Sequence, residues 1–185
     1  MSLPVVVCIS GASGSIYGVN LLKALSQLNI KSILVVSTMG FVTAKEELGI
    51  TAKELISMAD EYHDNSNLAA NISSGSYITA GVVVAPCSVK TLSSIANCYN
   101  DNLITRVSDV SLKERRKTIL LFREAPLHNG HISLMQQASN SGCIIMPPVP
   151  AFYNKPKTIN DIVNHSVFRV LDLLGIENDL VSRWN

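Results

Sequence analysis

Charge is scarce in this chain of 185 residues. Asp, Glu, Lys and Arg make up 16% of it, and 15 basic residues nearly cancel 14 acidic ones, leaving a formal net charge of +1. That balance offers no basic excess to meet nucleic-acid phosphates and no charged tail to draw a partner of opposite sign. Long apolar runs are missing too. No stretch approaches the roughly 20 apolar residues of a membrane-spanning helix, and the opening MSLP lacks the basic segment of a secretory leader, so a cytoplasmic protein is expected. The cysteines, Cys8, Cys87, Cys98 and Cys143, form no C-x-x-C pair. Reduced thiols used mainly as small packing residues are expected, not disulfides or metal ligands. Hydrophobic residues nevertheless reach 47%, with a mean hydropathy of +0.27. With no membrane to take it, this apolar surplus is expected between the subunits of a homo-oligomer.

The chain is organised around its first strand and turn. Val5-Val6-Val7-Cys8-Ile9 is an unbroken apolar run, the pattern of a strand buried on both faces. Small residues follow from Ser10 to Ser15, and then Tyr17, Leu21, Ala24, Leu25 and Leu28 recur at helical spacing. Strand, small-residue turn and helix make a phosphate cradle, in which N–H groups at the helix start face the anion. Two features of a dinucleotide site are absent. The glycines stand at 11, 14 and 18, which is not G-x-G-x-x-G, and the second apolar run, Lys31 to Val36, ends at Ser37-Thr38 where a ribose-binding acid would be needed. One phosphate-bearing mononucleotide, such as FMN, is the better expectation.

Further apolar runs at Gly81–Ala85, Thr118–Phe122 and Cys143–Met146 read as strands, with helical patterns between them. Thr51 and Thr158 each open a capping box, and Tyr62 to Ser76 reads as a long loop with room for a short strand. The third buried run passes straight into Pro86-Cys87-Ser88-Val89-Lys90-Thr91, and the fourth into Arg123-Glu124. Both turns fall at the carboxyl edge of the sheet, beside the first loop and Ser37. Four prolines between Pro147 and Pro156 stiffen a segment that carries Phe152 and Tyr153, suited either to ligand stacking or to contact between subunits. These elements predict one α/β domain over 1–185 with a short tail from 176. Its architecture is doubly wound and Rossmann-like, with a mostly parallel sheet of five or six strands.

The motifs SGASGSIYG, APCSVKTLSSIA, LKERR, FREAPL and PPVPAFYNKP together closely resemble the UbiX flavin prenyltransferase family, from Val5 to about Leu174 and on to Trp184. The resemblance implies transfer of a dimethylallyl group from dimethylallyl monophosphate to N5 and then C6 of reduced FMN. The prenylated FMN passes to a UbiD-type decarboxylase, commonly for ubiquinone synthesis, and the enzyme assembles as a dodecamer. By motif, Gly11, Ala12, Ser13, Ser37, Ser88, Val89, Lys90, Thr91 and Arg123 are expected to hold FMN. Tyr153 and Arg169 are expected to hold the dimethylallyl phosphate, with Lys113 and Arg106 as further cations and Trp184 closing over the prenyl group. Glu124 is assigned to proton relay and Ser13 to flavin N5, with Glu47 a further candidate acid. The chain has no DDxxD-like motif for a Mg²⁺–diphosphate, so no metal is expected. The alternatives are an FMN-dependent decarboxylase of the cysteine-decarboxylase class and a flavin carrier. The first is weakened because Pro86-Cys87-Ser88-Val89-Lys90-Thr91 replaces that class's PASANT-type motif.

Overall fold

The computed structural model describes residues 2–179. Six strands form one sheet in the order β3-β2-β1-β4-β5-β6, and every neighbouring pair is parallel. They are β1 (Val5–Ile9), β2 (Ser32–Val36), β3 (Glu61–Asp64), β4 (Gly81–Cys87), β5 (Lys117–Phe122) and β6 (Ile144–Ile145). The helices are α1 (Ser15–Gln27), α2 (Thr38–Leu48), α3 (Ala52–Ser57), α4 (Val89–Ala96), α5 (Leu103–Lys113), α6 (Asn129–Asn140) and α7 (Ile159–Leu174).

The apolar runs are continuous because each strand feeds two cores. Val5, Val7 and Ile9 of β1 face a cluster that includes α1 and α7, together with Ala44 of α2 and Leu55 of α3. Val6 and Cys8 face the other cluster, built with α4, α5 and Ala138 of α6. β2, β4 and β5 alternate in the same way, as the period-two geometry of a strand requires. The side chains of Cys8, Cys87 and Cys143 are buried within this packing. Burial pushes all three thiols above their ordinary range, which suits them to packing rather than nucleophilic work. Cys98 departs from that reading, being exposed.

Both capping boxes form, at Thr51 with Glu54 and at Thr158 with Asp161. The stretch expected as a long loop begins with a true strand. β3, Glu-Tyr-His-Asp, pairs along one side with β2 and is only partly buried. An edge strand of this kind needs no apolar run, so hydropathy does not reveal it. Polar contacts anchor it instead: Lys31 pairs with Glu61 at 2.7 Å, and Ser32 donates to the Asp60 carboxylate at 2.8 Å. No helix among the described residues is long and apolar enough to cross a membrane.

Candidate active site

The strand order reverses at β1, with β2 on one side of it and β4 on the other. Chains leaving these strands open a crevice at their carboxyl ends, where open α/β sheets bind ligands. Ser10 fixes its floor. The buried Ser10 hydroxyl donates to the Pro86 carbonyl at 2.8 Å and accepts the Ser88 N–H at 2.8 Å, tying the loop after β1 to the loop after β4.

Above this tie lies a cavity of about 550 Å³, within the range of small-molecule sites. Gly11, Ala12 and Ser13 line it from the first loop, and Ser37, Thr38 and Met39 from the start of α2. Ser88, Val89, Lys90, Thr91 and Ser94 come from α4 and its cap, while Arg123 and Glu124 follow β5. Asn65, Asn102 and Ile104 complete the wall. Gly11 lets the first loop meet α2, since a Cβ there would stand 2.3 Å from Met39 Cβ.

Four helices begin at or beside this cavity, and their first turns differ. At α2, Ser37 Oγ accepts the Gly40 N–H at 3.0 Å, leaving the Thr38 and Met39 N–H groups without partners among the described residues. At α4, Ser88 Oγ accepts the Thr91 N–H at 3.3 Å, and the Val89 and Lys90 N–H groups are likewise unpaired. These two helix ends can receive an anion. The start of α5 is filled by Asn65 and Asn102, whose side chains accept the Ile104 and Thr105 N–H groups at 3.0 and 3.1 Å.

The start of α1 is filled as well. The Glu47 carboxylate, from α2, accepts the Gly14 N–H at 3.0 Å and the Ser15 N–H at 2.9 Å. The small-residue turn is therefore not the open phosphate cradle that its sequence suggests, because the protein supplies its own anion there. Partial burial works to raise the Glu47 pKa, but hydrogen bonds from the Ser13 hydroxyl and the Ser15 and Gly14 N–H groups outweigh it and hold it below the usual carboxylate range. A carboxyl with a depressed folded pKa stabilises the fold above its unfolded pKa, and that contribution is lost as pH falls through the folded value. Glu47→Gln is thus expected to lower Tm at neutral pH by about 1–4 °C, as for a charged group lost from a helix start. The gap between variant and wild type should close below about pH 4. Thermal melts across pH 3–7 check this, and a gap that persists at low pH would contradict it.

A family model described as Flavoprotein matches residues 1–170. The flavin prenyltransferase UbiX of Methanocaldococcus jannaschii is 50% identical over 182 residues, covering 98% of this chain and 98% of that protein. The chain belongs to the UbiX flavin prenyltransferase family. Two solved structures agree. The crystal structure of AnUbiX in complex with FMN and dimethylallyl pyrophosphate superposes with a TM-score of 0.98 at 40% identity, covering 100% of this chain and 98% of that one. A dodecameric FMN-dependent UbiX-like decarboxylase from Escherichia coli O157:H7 gives 0.95 at 43% identity, covering 99% and 100%.

For a chain of the UbiX family, all the residues expected at FMN, from Gly11 to Arg123, line this one cavity, as does Glu124. The residues expected at the dimethylallyl phosphate are placed differently. Lys113 is the last residue of α5, four before β5 begins, and so stands at the amino end of the sheet, opposite the cavity; its ammonium pairs with Glu114. Arg106 pairs with Asp109 at 3.3 Å and Arg169 with Asp172 at 3.0 Å. The Tyr153 hydroxyl lies 2.8 Å from His165 Nε2. None of these lines the cavity within the chain, and Trp184 lies outside the described residues. Glu47 stands behind the first loop, holding it.

Sequence reasoning did not pick out Thr38, Met39, Asn65, Ser94, Asn102 or Ile104. The signal for Asn102 is its role as N-cap of α5, since a cap at the carboxyl edge of a sheet faces the ligand crevice. Asn65 gives no such signal, because its partner on α5 is 39 positions away. Among the described residues no group of three or more His, Cys, Asp or Glu is placed to hold a metal ion.

Proposed function

We propose that the chain transfers the dimethylallyl group of dimethylallyl monophosphate to N5 and then C6 of reduced FMN. The prenylated FMN is released to a UbiD-type decarboxylase, with ubiquinone synthesis as the pathway served. One observation carries the reading: the residues that the motifs assign to FMN, far apart in sequence, line a single cavity in a chain that is half identical to curated flavin prenyltransferases. FMN is a substrate here. Its phosphate suits the open starts of α2 and α4, where unpaired N–H groups and the hydroxyls of Ser37, Ser88 and Thr91 give charge-assisted hydrogen bonds. Its ring then lies toward Ser13, Arg123 and Glu124.

The second substrate gives up its phosphate as inorganic phosphate when the allylic C–O bond breaks, and the C5 fragment is captured by N5. Cations at that oxygen stabilise the developing charge, the task assigned to Lys113, Arg106 and Arg169 with the Tyr153 hydroxyl. A monophosphate needs less neutralisation than a diphosphate, which fits the lack of an acidic Mg²⁺–diphosphate motif. Within one chain none of these groups lines the cavity, so the reading calls for an assembly that brings a neighbour's cations to it. The dodecameric relative supports such an assembly, and a dodecamer is proposed here too.

The test is anaerobic incubation of the protein with reduced FMN and dimethylallyl phosphate, followed by mass spectrometry of the flavin. A gain of one C5 unit is expected. Folded protein that binds FMN and leaves its mass unchanged would sink prenyl transfer, and release of CO2 from an added carboxylic acid would favour the decarboxylase reading.

A further inference from the structure

Asn65 sits one residue past β3, and Val36 and Asp64 are register partners on β2 and β3. Ser37 and Asn65 are therefore the next residues on adjacent strands, which run about 4.8 Å apart. This brings Asn65 beside the open first turn of α2. Its backbone is held on both sides: the Asp64 side chain accepts the Ser66 N–H at 2.8 Å, and the Asn65 carbonyl accepts the Leu103 N–H at 2.8 Å. Its side chain is oriented as well. Oδ1 accepts the Ile104 N–H at 3.0 Å, and since only the oxygen of an amide can accept, this bond decides which way the group is turned. Nδ2, with two N–H donors, is left to the cavity that Asn65 lines, and it has no partner among the described residues. Asn102, the other amide at this end of α5, spends its Nδ2 on Asp101 at 2.6 Å.

We infer that Asn65 Nδ2 donates a hydrogen bond to the phosphate of the bound flavin mononucleotide; the inference rests on the FMN reading above. The residue type answers two demands at once. Capping α5 needs an acceptor, which lysine lacks. Facing a phosphate needs a donor, which ionised aspartate lacks. Asparagine alone among residues of its size and shape supplies both.

Asn65→Asp separates the two tasks, because its carboxylate still caps α5 but turns an acceptor and a negative charge toward the phosphate. Oxidised FMN and riboflavin, which lacks the phosphate, are titrated against the full-length wild type and variant by flavin fluorescence. FMN affinity of Asn65→Asp is expected to fall about 10–100-fold, with riboflavin affinity within about threefold of wild type. Asn65→Ala removes the donor without adding charge, and the cap on the Ile104 N–H with it; it is expected to give a smaller loss, greater for FMN than for riboflavin. The riboflavin titration reports that the site remains folded. FMN affinity unchanged in both variants, or an equal loss for both flavins, overturns the assignment of Asn65 while leaving the FMN reading standing. A wild type that binds no FMN overturns that reading, and this inference with it.

Discussion

Lys113→Ala is expected to slow prenyl transfer by about two to three orders of magnitude, the loss typical of removing one group that stabilises a developing oxyanion, while FMN stays bound. The expectation joins two facts that look opposed. The chemistry calls for cations at the departing phosphate, yet Lys113 ends α5 at the far side of the sheet from its own chain's cavity. Both hold if the ammonium serves a neighbouring protomer. Mixed oligomers of Lys113→Ala and Arg123→Ala chains then regain activity that neither has alone, since about a quarter of randomly assembled sites would draw both intact residues from different chains. FMN titration and single-turnover rates measure the first expectation, and co-assembled variants the second. If the mixture stays as inactive as its components, Lys113 does not act across a subunit boundary.

The second large effect is expected at Glu124, which follows Arg123 on the cavity wall; its carboxylate accepts the N–H of Ala125 at 3.0 Å. In the proposed reaction, closing the fourth ring at C6 ends with loss of a proton from that carbon, which needs a base within reach. Glu124→Gln keeps the size and the hydrogen bond to Ala125 but cannot take a proton. Ring closure should therefore slow by about 10²–10⁴-fold, the usual contribution of a positioned acid or base, while the first C–N bond forms at nearly the wild-type rate. The mass of the flavin is the same after either bond, so absorbance changes under nitrogen, not mass, must resolve the two phases. Two phases at wild-type rates would assign the proton to the released phosphate.

The parts of this molecule that were legible in sequence are those whose physics is local. β1, β2, β4 and β5 announce themselves because burial on both faces makes their runs almost wholly apolar; Ser37 was legible because it ends the second run at the ligand edge, and Ser88 because an N-cap and its helix are adjacent. β3 was allowed for but not located, because a polar strand paired on one side carries no hydropathy signal. The turn from Ser10 to Ser15 was legible as a turn at the ligand edge but misleading about its anion, because Glu47 reaches it from 33 positions away. Asn65 was invisible for the same reason, as nothing local marks a residue whose partner is Ile104. The cations assigned to the dimethylallyl phosphate rest on motif alone, and none of them lines the cavity of one chain.

The carboxylate at the start of α1 has a consequence for discrimination among the cell's abundant nucleotides. In a dinucleotide-binding enzyme that helix end receives the pyrophosphate. Here a fixed negative charge already sits there, so NAD or FAD laid across the same crevice would set its bridging phosphates against Glu47 and lose the N–H donors that compensate them. A flavin carrying one terminal phosphate would escape this conflict if, as proposed, its charge ends at the open starts of α2 and α4. On the proposed reading, the closed turn would therefore disfavour a second phosphate at the start of α1, and with it the adenylated form of the flavin.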